Sequence, residues 1–167
     1  MVLKYVVAGT SPLSYWTDDV HKLLMNAVIA KWTTDVTDPP IAYIEFNDTW
    51  FTEGSDIQFT FKFIRDDYNP SRRDTAWIRR NTVTFIDVHM WIRFKSVDTT
   101  GGPDTNYIYK CKKAFEDIIE LNNSTLLPPA VVTVSDVTQI EEHDYLEDTV
   151  HYKFSVDVWY DKVKVDV

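Results

Sequence analysis

Residues 79–94, RRNTVTFIDVHMWIRF, alternate two kinds of side chain: Ile86, Val88, Met90, Ile92 and Phe94 fall on one phase, Asp87, His89, Trp91 and Arg93 on the other. Successive side chains of an extended chain point to opposite faces, so a period of two means a strand with one face turned to a core. Residues 56–65, DIQFTFKFIR, repeat the period with Ile57, Phe59, Phe61 and Phe63 apolar and Gln58, Thr60 and Lys62 polar, a half-buried strand. The polar segment RDDYNPSRRDTAW separates the two. Together they predict a long antiparallel hairpin with an extended tip, a loop over residues 65–78.

Upstream, Trp16, Val20, Leu23, Leu24, Ala27 and Val28 form one stripe at helical spacing. Thr17 followed by two Asp supplies an N-cap with negative charge in the first turn, where the helix dipole favours it, so a helix is predicted over residues 17–32. TDPP at 37–40 ends it, and the apolar run from Ile41 to Phe46 predicts a strand buried on both faces.

Downstream, SVDTTGGPDTN is a loop, and TNYIYKCKKAFEDIIELNN is a second helix with Ile108, Cys111, Phe115, Ile118 and Ile119 inward. Lys110, Lys112, Lys113, Glu116, Asp117 and Glu120 then face water. After the prolines at 128–129, AVVTVSDVTQI opens a further segment. TVHYKFSVDVWY closes the pattern, with Val150, Tyr152, Phe154, Val156, Val158 and Tyr160 in phase. DKVKVDV at 161–167 shifts phase and reads as an extension able to reach a neighbouring chain. The order is α, β, a ββ hairpin, α, β, β: an α+β domain with two helices on one side of a mostly antiparallel sheet.

The chain of 167 residues has the length of one domain, 1–167, which buries roughly 68–70% of its unfolded surface. No run approaches the roughly 20 apolar residues that cross a bilayer, and MVLKYVVAGTSPLS is too short and too polar for a secretory signal, so no membrane partner and a cytosolic site of synthesis are expected. The single Cys111 excludes an intrachain disulfide and any multi-cysteine zinc site. A net charge of −9 argues against a phosphate-binding surface and hence against specific nucleic-acid binding. Aromatic residues, 14% of the chain, suit both a β-rich core and protein interfaces.

Asp87 and His89 lie two apart on one strand face, which suits an acid/base pair or two metal ligands. The preferred reading is a solvent-facing or subunit-facing strand surface, because a catalytic constellation also needs a third group and a pocket. His21, His143 and His151 show no ligand spacing and read as surface or rim histidines; Cys111 reads as a core thiol. Four glycines leave no phosphate loop, so no catalytic residue, metal or cofactor is expected. The basic hairpin tip is the unusual feature: of six arginines, Arg72, Arg73, Arg79 and Arg80 cluster beside Asp66, Asp67 and Asp74. An exposed, self-paired loop accounts for it, since such pairs contribute roughly 0–1 kcal/mol and need no purpose. A docking arm accounts for it equally, with Tyr68 and Trp77 adding the aromatic groups common at interface hot spots.

The order of elements, with VTFIDVHMWIRF, a loop, YIYKCKKAFEDIIE and VHYKFSVDVWY, resembles the tail terminator proteins of tailed bacteriophages and archaeal tailed viruses. The neighbouring head–tail joining and tail completion proteins share that small fold. The resemblance implies a virion protein without enzymatic activity, forming a ring of usually six copies. Such a ring caps the tail tube protein, stops its polymerisation and meets head–tail connector proteins at the neck, with the genome passing through it; assembly takes place in the host cytoplasm. A closed ring joins different faces of identical subunits. Tyr68, Arg72, Arg73, Trp77, Arg79, Arg80, Trp91 and Arg93 are the expected interface residues. The competing expectation is a small-ligand-binding or hydrolytic domain using Asp87 and His89, with His151 beside them.

Overall fold

The computed structural model describes residues 3–7, 19–32, 40–44, 56–69, 79–93, 105–140 and 149–166. In chain order these form β1 (Leu3–Val7), α1 (Val20–Lys31), β2 (Ile41–Ile44), β3 (Ile57–Asn69), β4 (Arg79–Arg93), α2 (Thr105–Leu121), β5 (Val131–Ile140) and β6 (Thr149–Asp166). The six strands make one sheet in the order β1-β6-β4-β3-β2, with β5 also on β6. Among the described residues only the β2–β3 pair is parallel. Along one edge β6 pairs with β4 from Thr149 to Val163; along the other it pairs first with β5 and then, from Lys162, with β1. The α+β class, with two helices on one face of a mostly antiparallel sheet, is the one the periodicities predict.

Register lays the apolar phases in one plane: Phe59 opposes Met90, Phe61 opposes Val88, Val88 opposes Phe154 and Ile86 opposes Val156. The helices close over this face. Leu24 and Val28 of α1 and Ile108, Cys111, Phe115, Ile118 and Ile119 of α2 join it in one core. Phe115 is the hinge of that packing, 4.5 Å from the Phe154 ring and 5.4 Å from Phe59 between centroids. Burying each such side chain stabilises the fold by about 1.5–3 kcal/mol. At the end of α2, Asn122 Nδ2 donates to the Ile118 carbonyl at 2.9 Å, and the backbone N–H of Val132 donates to the Asn123 carbonyl at 2.8 Å. Helix carbonyls left without an intrahelical donor are satisfied in this way, and β5 is tied to the helix end.

Beyond the core the hairpin changes character. Ile64 is a β-bulge: the register passes from Phe63↔Ile86 to Arg65↔Phe85 with Ile64 left over. The extra residue reverses the phase, so Asp66 and Tyr68 now oppose Thr84 and Thr82. Thr84 Oγ1 donates to Asp66 Oδ1 at 2.6 Å and lies 2.9 Å from the Tyr160 hydroxyl, which is its donor in this chain of bonds. Burial pushes the Tyr160 hydroxyl up to about 12. Three strands are thus fastened by one polar chain where the apolar core ends.

Several expectations give way to the structure. A strand, β1, lies in the stretch read only for a signal, and residues 162–166 pair with it inside the chain instead of reaching a neighbour. Helix α1 starts at Val20, and its cap is Asp19, in extended conformation and without a side-chain capping bond; Thr17 and Trp16 lie outside the described residues. Strand β2 pairs only with β3 among the described residues and all four of its residues are half-buried, so the run from Ile41 is an edge, not a central strand. Strand β3 runs on to Asn69, shortening the tip: the bulge lets residues 65–69 keep pairing with β4. Gln58 and Thr60, read as the wet side of β3, are buried, and so are His21 and His151. His143, Phe94 and Phe46 lie outside the described residues.

Candidate functional site

The face of the sheet away from the helices carries the polar phases of β3, β4 and β6. Register sets them in rows: Gln58, Trp91 and His151; Thr60, His89 and Lys153; Lys62, Asp87 and Ser155; Arg65, Phe85 and Asp157. Asp87 and His89 share this face but not their partners. Asp87 Oδ2 lies 4.0 Å from Lys153 Nζ. His89 Nδ1 instead lies 2.7 Å from His151 Nε2, a hydrogen bond across the β4–β6 seam. Trp91 stacks on both imidazoles, with centroids 4.4 Å from His151 and 5.6 Å from His89. The expected trio of Asp87, His89 and His151 is therefore divided: two histidines form a unit with a tryptophan, and the carboxylate pairs with a lysine.

Burial gives this cluster its chemistry. Trp91 is 4% exposed and His151 5%. Thr60 Oγ1 and Trp91 Nε1 are buried without a hydrogen-bond partner among the described residues, an arrangement that costs free energy. No group of three or more His, Cys, Asp or Glu able to hold a metal ion occurs among the described residues. Further along the face, burial pushes the Asp157 carboxyl above its ordinary range; a hydrogen bond from Ser135, the bulged residue of β5, and the charge of Arg65 oppose that shift. Arg65 itself sits over the Phe85 ring at 4.3 Å and bonds Asp67 through Nε at 3.3 Å. Cys111 is a buried thiol of the core, as its place on the helix stripe predicts.

The expected interface residues separate into four groups. Tyr68 is exposed, on the part of β3 past the bulge. Arg79 and Arg80 are strand residues opposite Val163 and Lys162, and Arg93 is half-buried with its backbone N–H bonded to the Asp56 carbonyl at 2.8 Å. Trp91 lies on the face away from the helices but is 4% exposed, its indole stacked on the two histidines. Arg72, Arg73 and Trp77 lie outside the described residues.

A second feature was missed by pattern reading. Large apolar side chains are exposed around the hairpin-ward half of the sheet: Phe63, Ile64 and Tyr68 of β3, Val131 of β5 and Trp159 of β6. Val131 opposes Trp159 directly. The sequence held one signal, since Trp159 occupies the polar phase of β6 between Val158 and Tyr160; an indole in that phase is set on an outer face.

No family model matches this chain, and no curated protein does. Among solved structures, matching chains include the sheath/tube terminator of an extracellular contractile injection system, PVC, in its extended state. That structure is 15% identical with a TM-score of 0.44, and the match covers 92% of this chain and 58% of the other. This chain thus spans little more than half the length of that terminator.

Proposed function

We propose that this protein is a structural subunit that works by binding, in a ring of its own copies that ends a protein tube. The observation that carries the reading is the exposed apolar group on the hairpin-ward half of the sheet: Ile64, Tyr68 and Trp159 are 40%, 46% and 46% exposed. By register Tyr68 is in phase with Thr82 and Tyr160 on one face of the sheet, and Trp159 with Val131 on the other, so exposed apolar side chains give this end two different surfaces that other proteins can cover. The arginine-rich segment from Arg72 to Arg80 joins the same end of the sheet, in a chain of net charge −9. An identical neighbour supplies the acidic surface that such an arm fits, and two unlike faces of one subunit close a ring.

The finer reading, a terminator at the head-proximal end of a viral tail, rests on the sequence resemblance. It adds six-fold symmetry, the tail tube protein and the head–tail connector proteins as partners, and a place in the virion neck. A head–tail joining or tail completion protein is the alternative within that class. Light scattering across a concentration series, with negative-stain imaging of the largest species, tests the reading: closed rings are expected, and a monomer at every concentration, with and without tube protein, overturns it. Charge reversal in the double variant Arg72→Glu/Arg73→Glu is expected to weaken assembly; rings of unchanged stability would remove the arm from the interface.

A further inference from the structure

Two exposed apolar surfaces lie at the same end of the sheet and face opposite ways. On β6, Val158 and Tyr160 are buried in the phase that meets the helices, so Trp159 between them points to the other face. It is 46% exposed there, and Val131, directly opposite on β5, is 39% exposed. On β3 the arrangement is inverted. Phe63 opposes Ile86, and Tyr68 opposes Thr82, which in turn opposes Tyr160, so both belong to the helix side. They are nevertheless exposed, by 39% and 46%. The Phe63 ring lies 6.1 Å from that of His21 in α1, and Tyr68 comes five residues further along β3. Because β4 runs between β3 and β6, the two surfaces are also offset across the sheet by two strand spacings, roughly 10 Å.

Symmetry decides which partner covers both. A two-fold dimer sets one patch against its own copy, so it covers the Trp159 surface or the Tyr68 surface and leaves the other in water. A contact that lays the Trp159 side of one copy on the Tyr68 side of the next covers both surfaces of every copy it links, and such a contact is heterologous. The offset makes it an overlap, in which the β5–β6 side of one copy rests on the β3 side of its neighbour. Tryptophan and tyrosine are enriched among the residues that carry most of the energy of protein interfaces.

We infer that copies of this chain associate head to tail as overlapping tiles, with Trp159 and Val131 of one copy seated against Phe63 and Tyr68 of the next. The inference rests on the ring reading above and names the two sides of its subunit contact. Repeated around a closed ring, the contact leaves neither surface in water, whereas an open run leaves one of each at its ends.

The test is complementation by halves, read as mass in light scattering at a concentration where the wild type forms rings. Trp159→Glu spoils one side of the contact and Tyr68→Glu the other, both at half-exposed positions. Each variant alone is expected to stay a single chain. Their equal mixture is expected to give a two-chain species and nothing larger, because one intact side remains on each. Rings from either variant alone, or a mixture that stays monomeric, would overturn the tile contact and leave the ring reading standing. A wild type that is monomeric at every concentration, with and without tube protein, overturns both. Should circular dichroism show either variant unfolded, Trp159→Cys and Tyr68→Cys chains are mixed under mild oxidation, with Cys111 buried in the core. A disulfide-linked pair of unlike chains is expected; pairs of like chains alone, or no linked pair, would overturn the contact.

Discussion

The sheet has two ends built on different terms. Near α1 and α2, β3, β4 and β6 present Phe59, Phe61, Val88, Met90 and Phe154, all fully buried. Past the bulge at Ile64 the same three strands present Asp66, Thr82, Thr84 and Tyr160, and the covering helices no longer decide what is buried. One end is held by packing, which tolerates no empty volume; the other is held by hydrogen bonds, which tolerate no missing partner. A single extra residue in β3 separates the two, because it reverses which side chains face which way.

The contrast is sharpest in what each end loses to one substitution. Phe115→Ala removes the ring between Phe59 and Phe154, and a loss of about 3–5 kcal/mol in urea unfolding is expected; a loss below about 1 kcal/mol would mean that α2 does not seal the core. Thr84→Val keeps the shape but breaks both bonds of the polar chain. An expected cost of about 1–3 kcal/mol arises from the buried Tyr160 hydroxyl left without its partner, and a silent substitution would show the projecting end to be held by something else.

A third measurement uses alkali. The folded Tyr160 holds its proton up to about 12, against 10.0 for the ordinary phenol, mainly through burial. A raised value means that the folded state keeps a proton the unfolded chain gives up. Stability is therefore fully present below about pH 10 and falls as pH rises toward about 12. Ultraviolet titration of the nine tyrosines should show one late ionisation that Tyr160→Phe abolishes; its persistence in that variant would assign it elsewhere. The smallest effect on stability is expected from Trp159→Ser, about 1 kcal/mol or less at this half-exposed position. The same variant should weaken self-association in light scattering. Unchanged association would separate the apolar group from the ring interface.

Legibility in the sequence followed the same division. Where burial alone decides, the period of two placed Ile57, Phe59, Phe61, Val88, Met90 and Phe154 correctly, and the helical stripe placed Cys111 and Phe115. Patterning failed where an outcome depends on which strand lies alongside. Nothing in Ile41–Ile44 tells an edge from a centre, because an apolar run suits both. Gln58 and Thr60 look solvent-facing in the pattern of β3 and are nevertheless buried, which the period of two does not reveal. His89 and His151 are 62 residues apart, and no local signal sets a register across that distance, so their bond was invisible although both residues were singled out. Strand β1 escaped for the same reason: its partner is the far end of β6.

The place of β6 has a consequence for synthesis. Strands β1, β4 and β5 all pair with it, and it is the last of the described elements to leave the ribosome. Until then the β3–β4 hairpin has an open edge, with Ile86, Val88 and Met90 lacking the neighbours that will flank them. At about 5–20 residues per second, the stretch from Arg93 to Val163 takes on the order of several seconds to make. During that interval nascent chains emerging side by side can pair hairpin to hairpin before β6 arrives, so slow translation or crowded ribosomes should lower the yield of this protein more than that of a chain whose central strand is made first.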